Sequence, residues 1–255
     1  MTARGARARS PRDGDPEPTT RDALLDGAVI LRQPARGYRV NVDSLLLARF
    51  AASVGGGGVI VDLGAGVGAV GLALAALAPV DRLVLVERDP LFARLAAENL
   101  ADAAVPGEVR QLDLAGDPWP PDLCGAARLV LANPPYEQPG RGPGASDPRS
   151  RAARAGPVEP FLRAARAALA GPRASACVCF PARSLGDLAR EADRARLHAR
   201  RLRLVHARAS DDARLALVEL RSRPGPLRVL PALVEWDAPG RPTPELVALG
   251  QRRRG

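Results

Sequence analysis

From residue 59 onward, short apolar runs alternate with longer stretches whose apolar positions recur at helical spacing. Val59-Ile60-Val61-Asp62-Leu63 is a run with one polar member, the pattern of a strand buried on both faces. The spacing then predicts a helix over 69–78 closed by Pro79, a strand over 83–86, and a helix over 90–102 with Pro90 in its first turn. Further strands are expected over 109–112, 129–132, 174–180, 201–206 and 215–220, and helices over 158–170 and 185–197. Strands separated by helices at this interval predict a mostly parallel, seven-stranded α/β sheet with helices on both faces.

The flanks read differently. Residues 1–20 mix Arg, Pro and acidic positions without an apolar stripe, and read as a disordered arm. Residues 21–58 read as an N-terminal cap segment, with a short strand over 29–31 and Asp43 as the N-cap of a helix carrying the apolar run 45–50. Residues 59–221 form the core domain. Residues 222–255 are a Pro/Arg-rich extension with strand character over 227–234 and a frayed arginine end.

Composition sharpens this picture in three ways. At 255 residues the chain can hold one large α/β domain, and aromatics at 3% leave Leu, Val and Ala to build its core. The net charge of +9 is carried by arginine alone, since the chain has no lysine, and its sign points to a polyanionic partner. Cys124, Cys177 and Cys179 are too few and too unevenly spaced for a disulfide framework or a zinc site; Cys177 and Cys179 share one face of a strand as small hydrophobes. No metal is therefore expected. No apolar run approaches the ~20 residues of a membrane span, and no secretory h-region is present, so the expected location is cytoplasmic.

The candidate chemistry lies where strands end. Gly64-Ala65-Gly66-Val67-Gly68 turns from the strand over 59–63 into a helix, and its glycines allow close approach of a ligand to the backbone. Glu87, followed by Arg88, ends the next strand at the place where a carboxylate accepts both ribose hydroxyls. Dinucleotide enzymes and methyltransferases share both features. Asp62 sits inside the first strand's end, where an ionised group needs a cation or donors, such as the amino group of a methionine moiety. Asp113, with Leu114, follows the third strand at the height of an adenine amine; a turn cap accounts for Asp113 equally well.

After the apolar run 128–132 comes Asn133-Pro134-Pro135-Tyr136, where two prolines must end the strand. In open α/β sheets ligands bind at that edge. The tetrad resembles the signature of S-adenosyl-L-methionine-dependent methyltransferases that methylate a planar nitrogen, and the fold this implies is the Rossmann-like class I methyltransferase. Such a nitrogen is a poor nucleophile because its lone pair is delocalised. Accepting both N–H hydrogens, at the Asn133 side-chain oxygen and the Pro134 carbonyl, favours a pyramidal nitrogen, while Tyr136 stacks on the flat substrate. No histidine is required, and His198 and His206 read as surface residues.

A second stretch narrows the resemblance. Gln33-Pro34-Ala35-Arg36-Gly37-Tyr38-Arg39-Val40-Asn41-Val42-Asp43-Ser44-Leu45-Leu46-Leu47-Ala48 is similar to the segment before the glycine motif in bacterial tRNA1(Val) adenine N6-methyltransferases. The resemblance runs from about residue 21 to 235 and implies a tRNA partner, methylated at the adenine next to the anticodon. It places Tyr38 and Asp43 on the substrate side. Arg141, Arg149, Arg151 and Arg154, crowded after the tetrad, are set to hold phosphates. The chain departs from the family at Glu137-Gln138-Pro139-Gly140, where a further aromatic and a glycine are usual. Release-factor glutamine methyltransferases and guanine-N2 rRNA methyltransferases carry related tetrads, and a non-catalytic RNA-binding homologue is the alternative of another class.

Overall fold

A computed structural model describes residues 18–36, 39–134 and 156–251. The chain opens on an antiparallel hairpin, β1 (Thr19–Leu24) and β2 (Val29–Pro34), followed by α1 (Val42–Ala52). The core then alternates β3 (Val59–Leu63), α2 (Ala69–Ala75), β4 (Arg82–Glu87), α3 (Pro90–Asp102), β5 (Gly107–Gln111) and β6 (Ala127–Ala132). It continues through α4 (Glu159–Ala168), β7 (Ser175–Pro181), α5 (Leu185–Arg194), β8 (His198–His206) and β9 (Ala213–Arg221). Four short strands, β10 (Arg228–Val229), β11 (Leu233–Val234), β12 (Trp236–Ala238) and β13 (Arg241–Pro242), precede α6 (Pro244–Gly250).

The main sheet runs β10-β8-β9-β7-β6-β3-β4-β5, with β11 also paired to β8. β9 is antiparallel to both its neighbours, and the other pairs in the sheet are parallel. The mixed α/β fold expected from the alternation is the one observed. Because β3 is flanked by β4 on one side and β6 on the other, the order of connections reverses between β3 and β6. That reversal opens a crevice at the carboxyl ends of the two strands.

Side-chain alternation along the strands sends two sets of residues to two cores. Ile60, Leu83, Leu85, Leu129, Leu131, Cys177, Cys179 and Leu217 pack with α1, α2 and α3 on one face. Val61, Val84, Val86, Val130, Val178 and Val218 pack with α4 and α5 on the other. The two buried cysteines do share a face, as their spacing predicts.

Four expectations need correction. The sheet has nine strands instead of the seven expected, because β10 and β11 of the Pro/Arg-rich extension pair with β8. A strand begins at Thr19, inside the stretch expected to be an arm; its polar run gains order by pairing with β2, a contact that local pattern does not reveal. The N-cap of α1 is Asn41, whose side chain accepts from the Asp43 N–H, so Asp43 lies in the first turn instead of capping it. The helix expected over 69–78 stops at Ala75.

Candidate active site

Strand register brings three of the singled-out positions into one row. Leu63 pairs with Val86 on one side and Ala132 on the other, so Gly64, Glu87 and Asn133 leave their strands side by side. The glycine turn is held from several directions. The Ala65 N–H donates to the Val86 carbonyl at 2.9 Å, and the Gly66 N–H donates to Glu87 Oε2 at 2.8 Å. The other Glu87 oxygen accepts from the Asp89 N–H at 2.9 Å. Burial pushes the Glu87 carboxyl above its usual range, against the pull of the Asp89, Gly66 and Arg88 N–H groups.

Asp62 lies beneath this turn, 1% exposed. The donor it meets is the Gly71 N–H, at 2.9 Å, in the first turn of α2. Burial pushes its carboxyl up to about 7; the Gly71 donor opposes the shift and the negative charge of Glu87 adds to it.

The glycines differ in what surrounds them. Gly66 has φ +56° and open space where a Cβ would stand, whereas a Cβ on Gly68 (φ +88°) would lie 2.9 Å from Leu85 Cδ1. Gly64, at φ +65°, is covered by the ring of Phe161, whose Cε1 would be 2.8 Å from an added Cβ. A cavity of about 40 Å³ opens along this turn, bordered by Gln33, Ser44, Gly64, Gly66, Phe92 and Asn133 among others.

Asn133 is half-buried, and among the described residues its Oδ1 atom is buried without a hydrogen-bond partner. An acceptor in that state carries a desolvation cost of about 1–3 kcal/mol unless a ligand donor meets it. Pro134 beside it is buried. Pro135, Tyr136, Arg141, Arg149, Arg151, Arg154 and Tyr38 lie outside the described residues.

The remaining expected positions divide. Arg88 is exposed beside Glu87. Asp113 caps its own turn, its Oδ1 accepting from the Ala115 N–H at 3.0 Å. The Leu114 carbonyl accepts from Arg163 Nη2 of α4 at 2.9 Å, which draws that helix over the β5 loop. Asp43 is not an open substrate contact: it is 2% exposed and pairs with Arg214 Nη1 at 2.8 Å, so its charge is already met.

Gln33, Asn99 and Phe161 escaped the sequence reading. Asn99 had a usable signal, because it falls on the apolar stripe of α3 with Phe92, Leu95 and Ala96, where a polar residue needs a reason. Gln33 heads the Gln33–Ala48 stretch, but its burial between Asp22 and Val40 shows only in the fold. Phe161 had no signal, since it meets Gly64 from a distant part of the chain.

The open side of Gly66 and the Glu87 carboxylate leave room for a nucleoside to lie against the glycine turn, and the orphaned Asn133 oxygen next to them is an acceptor open to a separate ligand donor. The fold is that of class I S-adenosyl-L-methionine-dependent methyltransferases: a predicted O-methyltransferase from Agrobacterium tumefaciens superposes with a TM-score of 0.64 at 23% identity, over 82% of this chain and 95% of that one. Residues 40–143 match the family model described as the methyltransferase small domain, and S-adenosyl-L-methionine is the cofactor which that family implies.

Two curated relatives carry the likeness further. The release factor glutamine methyltransferase of Mycolicibacterium smegmatis is 40% identical over 98 residues, 38% of this chain. The tRNA1(Val) (adenine(37)-N6)-methyltransferase of an Enterobacter species is 33% identical over 147 residues, 56% of this chain. The chain spans 34% and 58% of the lengths of these two relatives. Among the described residues, no helix is long and apolar enough to cross a membrane, and no group of three or more His, Cys, Asp or Glu side chains could hold a metal ion.

Proposed function

We propose that the protein is an S-adenosyl-L-methionine-dependent N-methyltransferase that modifies the N6 of an adenine in tRNA, beside the anticodon. The observation that carries the reading is the buried, unpartnered Asn133 Oδ1 at the carboxyl end of β6, in the wall of the cavity along the glycine turn. A substrate N–H would meet that oxygen, and the Pro134 carbonyl would take the second hydrogen. In this reading Glu87 holds the ribose, Gly66 gives the cofactor its approach to the Gly64–Gly68 turn, and Asp62 shapes the turn from below. Arg88, Asp113 and Leu114 border the adenine end. When bound, S-adenosyl-L-methionine supplies a methyl group on a positively charged sulfur. Tyr136 and Tyr38 are assigned to the flat substrate, and Arg141, Arg149, Arg151 and Arg154 to phosphates.

Three observations favour tRNA: the Gln33–Ala48 resemblance, the net charge of +9, and the 147-residue match to the tRNA enzyme. The higher identity of the 98-residue match supports glutamine N5 of a release factor as the second reading. Incubating the purified protein and radiolabelled S-adenosyl-L-methionine with unmodified tRNA and, separately, with release factor distinguishes them. Label in tRNA that digests to N6-methyladenosine is the expected result. Label confined to the release factor would replace this reading with the second, and label in neither would overturn both.

A further inference from the structure

Asn99 is fully buried on α3, 32 residues from Val67 and 67 from Arg32, yet it bonds to both. Its Nδ2 donates to the Val67 carbonyl at 2.9 Å, inside the glycine turn, and to the Arg32 carbonyl at 2.9 Å. Its Oδ1 accepts from the Arg32 N–H at 2.7 Å. Three of the four hydrogen bonds an amide side chain can make are filled. The β2 backbone at Arg32 is thereby gripped at both its polar groups, much as a neighbouring strand would grip it.

What this grip positions is Gln33, the next residue. Gln33 is 3% exposed and borders the same cavity as Gly66 and Asn133. Its Oε1 accepts from the Val40 N–H at 2.9 Å, and its Nε2 donates to Asp22 Oδ2 of β1 at 2.7 Å. Val40 borders the cavity as well. One chain of hydrogen bonds therefore runs from the glycine turn through Asn99 to β2, and from Gln33 to the segment entering α1. An apolar residue at 99 could fill the space but would leave the Val67 and Arg32 groups without these partners.

We propose that Asn99 is a positioning residue of the cofactor site, fastening the glycine turn to the N-terminal hairpin so that cofactor occupancy is transmitted to β2. The inference rests on the S-adenosyl-L-methionine reading above. The hairpin is then a wall of the site. Asn99→Asp tests the fastening, because it keeps the acceptor for Arg32 N–H and removes the donors to the two carbonyls.

The experiment measures S-adenosylhomocysteine affinity by calorimetry, and KM for S-adenosyl-L-methionine separately from kcat on whichever substrate the wild type methylates. Asn99→Asp is expected to raise the dissociation constant and the cofactor KM by about tenfold or more, with kcat at saturating cofactor within about threefold. A lowered melting temperature with unchanged cofactor affinity would make Asn99 purely structural and overturn the inference. Should the variant not fold, hydrogen exchange on the wild type decides. S-adenosylhomocysteine is expected to slow exchange in peptides covering 29–34 as well as 64–68. Protection of 64–68 alone would overturn the coupling, and a wild type that binds no S-adenosylhomocysteine would overturn the cofactor reading itself.

Discussion

Arg214 and Asp43 meet at 2.8 Å across 171 residues of chain, tying the start of β9 to the first turn of α1. The Arg214 guanidinium also forks onto Glu235, with Nε 2.7 Å from Oε2. Both carboxylates are buried, at 2% and 4% exposure, and Arg214 bridges them, while Asp43 Oδ2 also accepts from Asn41 Nδ2 at 3.2 Å. Arg214→Ala should strand two acids in the interior and destabilise the fold by about 3–5 kcal/mol. Urea denaturation at neutral pH measures it. A loss below about 1 kcal/mol would mean that water reaches both acids freely.

Asp62 should make stability depend on pH. Its folded-state value near 7 lies above the ordinary 3.8, so the folded protein holds this proton more tightly than the unfolded chain. Its contribution is full below about pH 4 and is lost as pH rises through about 7. Asp62→Asn keeps an acceptor for the Gly71 N–H without the buried charge. Relative to wild type, the variant should gain on the order of a few kcal/mol between pH 5 and pH 8. Thermal melts of the cofactor-free protein at several pH values follow this, and a constant difference would refute the titration.

The glycine turn offers a contrast between two alanine variants. Gly66→Ala meets nothing within 4 Å, so its cost to the fold is the left-handed backbone alone, about 1–2 kcal/mol. It should nevertheless block cofactor approach and weaken S-adenosylhomocysteine binding by about tenfold or more. Gly68→Ala adds a 2.9 Å contact with Leu85 Cδ1 to the same backbone strain and should lower the melting temperature further. Comparable melting and binding in the two variants would remove the distinction.

Asn133→Ala removes the acceptor proposed for the substrate N–H. Turnover should fall by a factor on the order of 10²–10³, with little change in melting temperature or S-adenosylhomocysteine affinity. Near wild-type methylation by this variant would make the tetrad a structural turn. Tyr136→Phe should keep most activity if stacking is the role of the ring, while Tyr136→Ala should lose about 1–3 kcal/mol of target binding.

Where apolar runs are bounded by glycine or proline, the chain could be read almost to the residue. β3 and α3 have the bounds expected of them, and β4 and β6 begin within two residues of theirs. The row of Gly64, Glu87 and Asn133 was legible too, because each residue ends an apolar run and parallel strands end together. What stayed hidden depends on which of several available partners a residue takes, near in the chain or far. Thr19–Leu24 has no pattern of its own, Asn41 competes with Asp43 for one cap, and Arg214 is one arginine among many until Asp43 and Glu235 surround it.

The proline-rich tail has a consequence for the sheet's rim. β8 is nine residues long, and without β10 and β11 its outer side would offer a row of unpaired backbone groups to other molecules. The two short strands pair at Arg201, Leu202, Val205 and His206, while Arg203 Nε holds the intervening Pro231 carbonyl at 3.1 Å. The tail thus acts as a guard against edge-to-edge aggregation, and its prolines keep the guard itself from becoming a new template. A chain cut after Arg221 should self-associate through β8, visible as growing particle size in light scattering at concentrations where the full chain stays monodisperse.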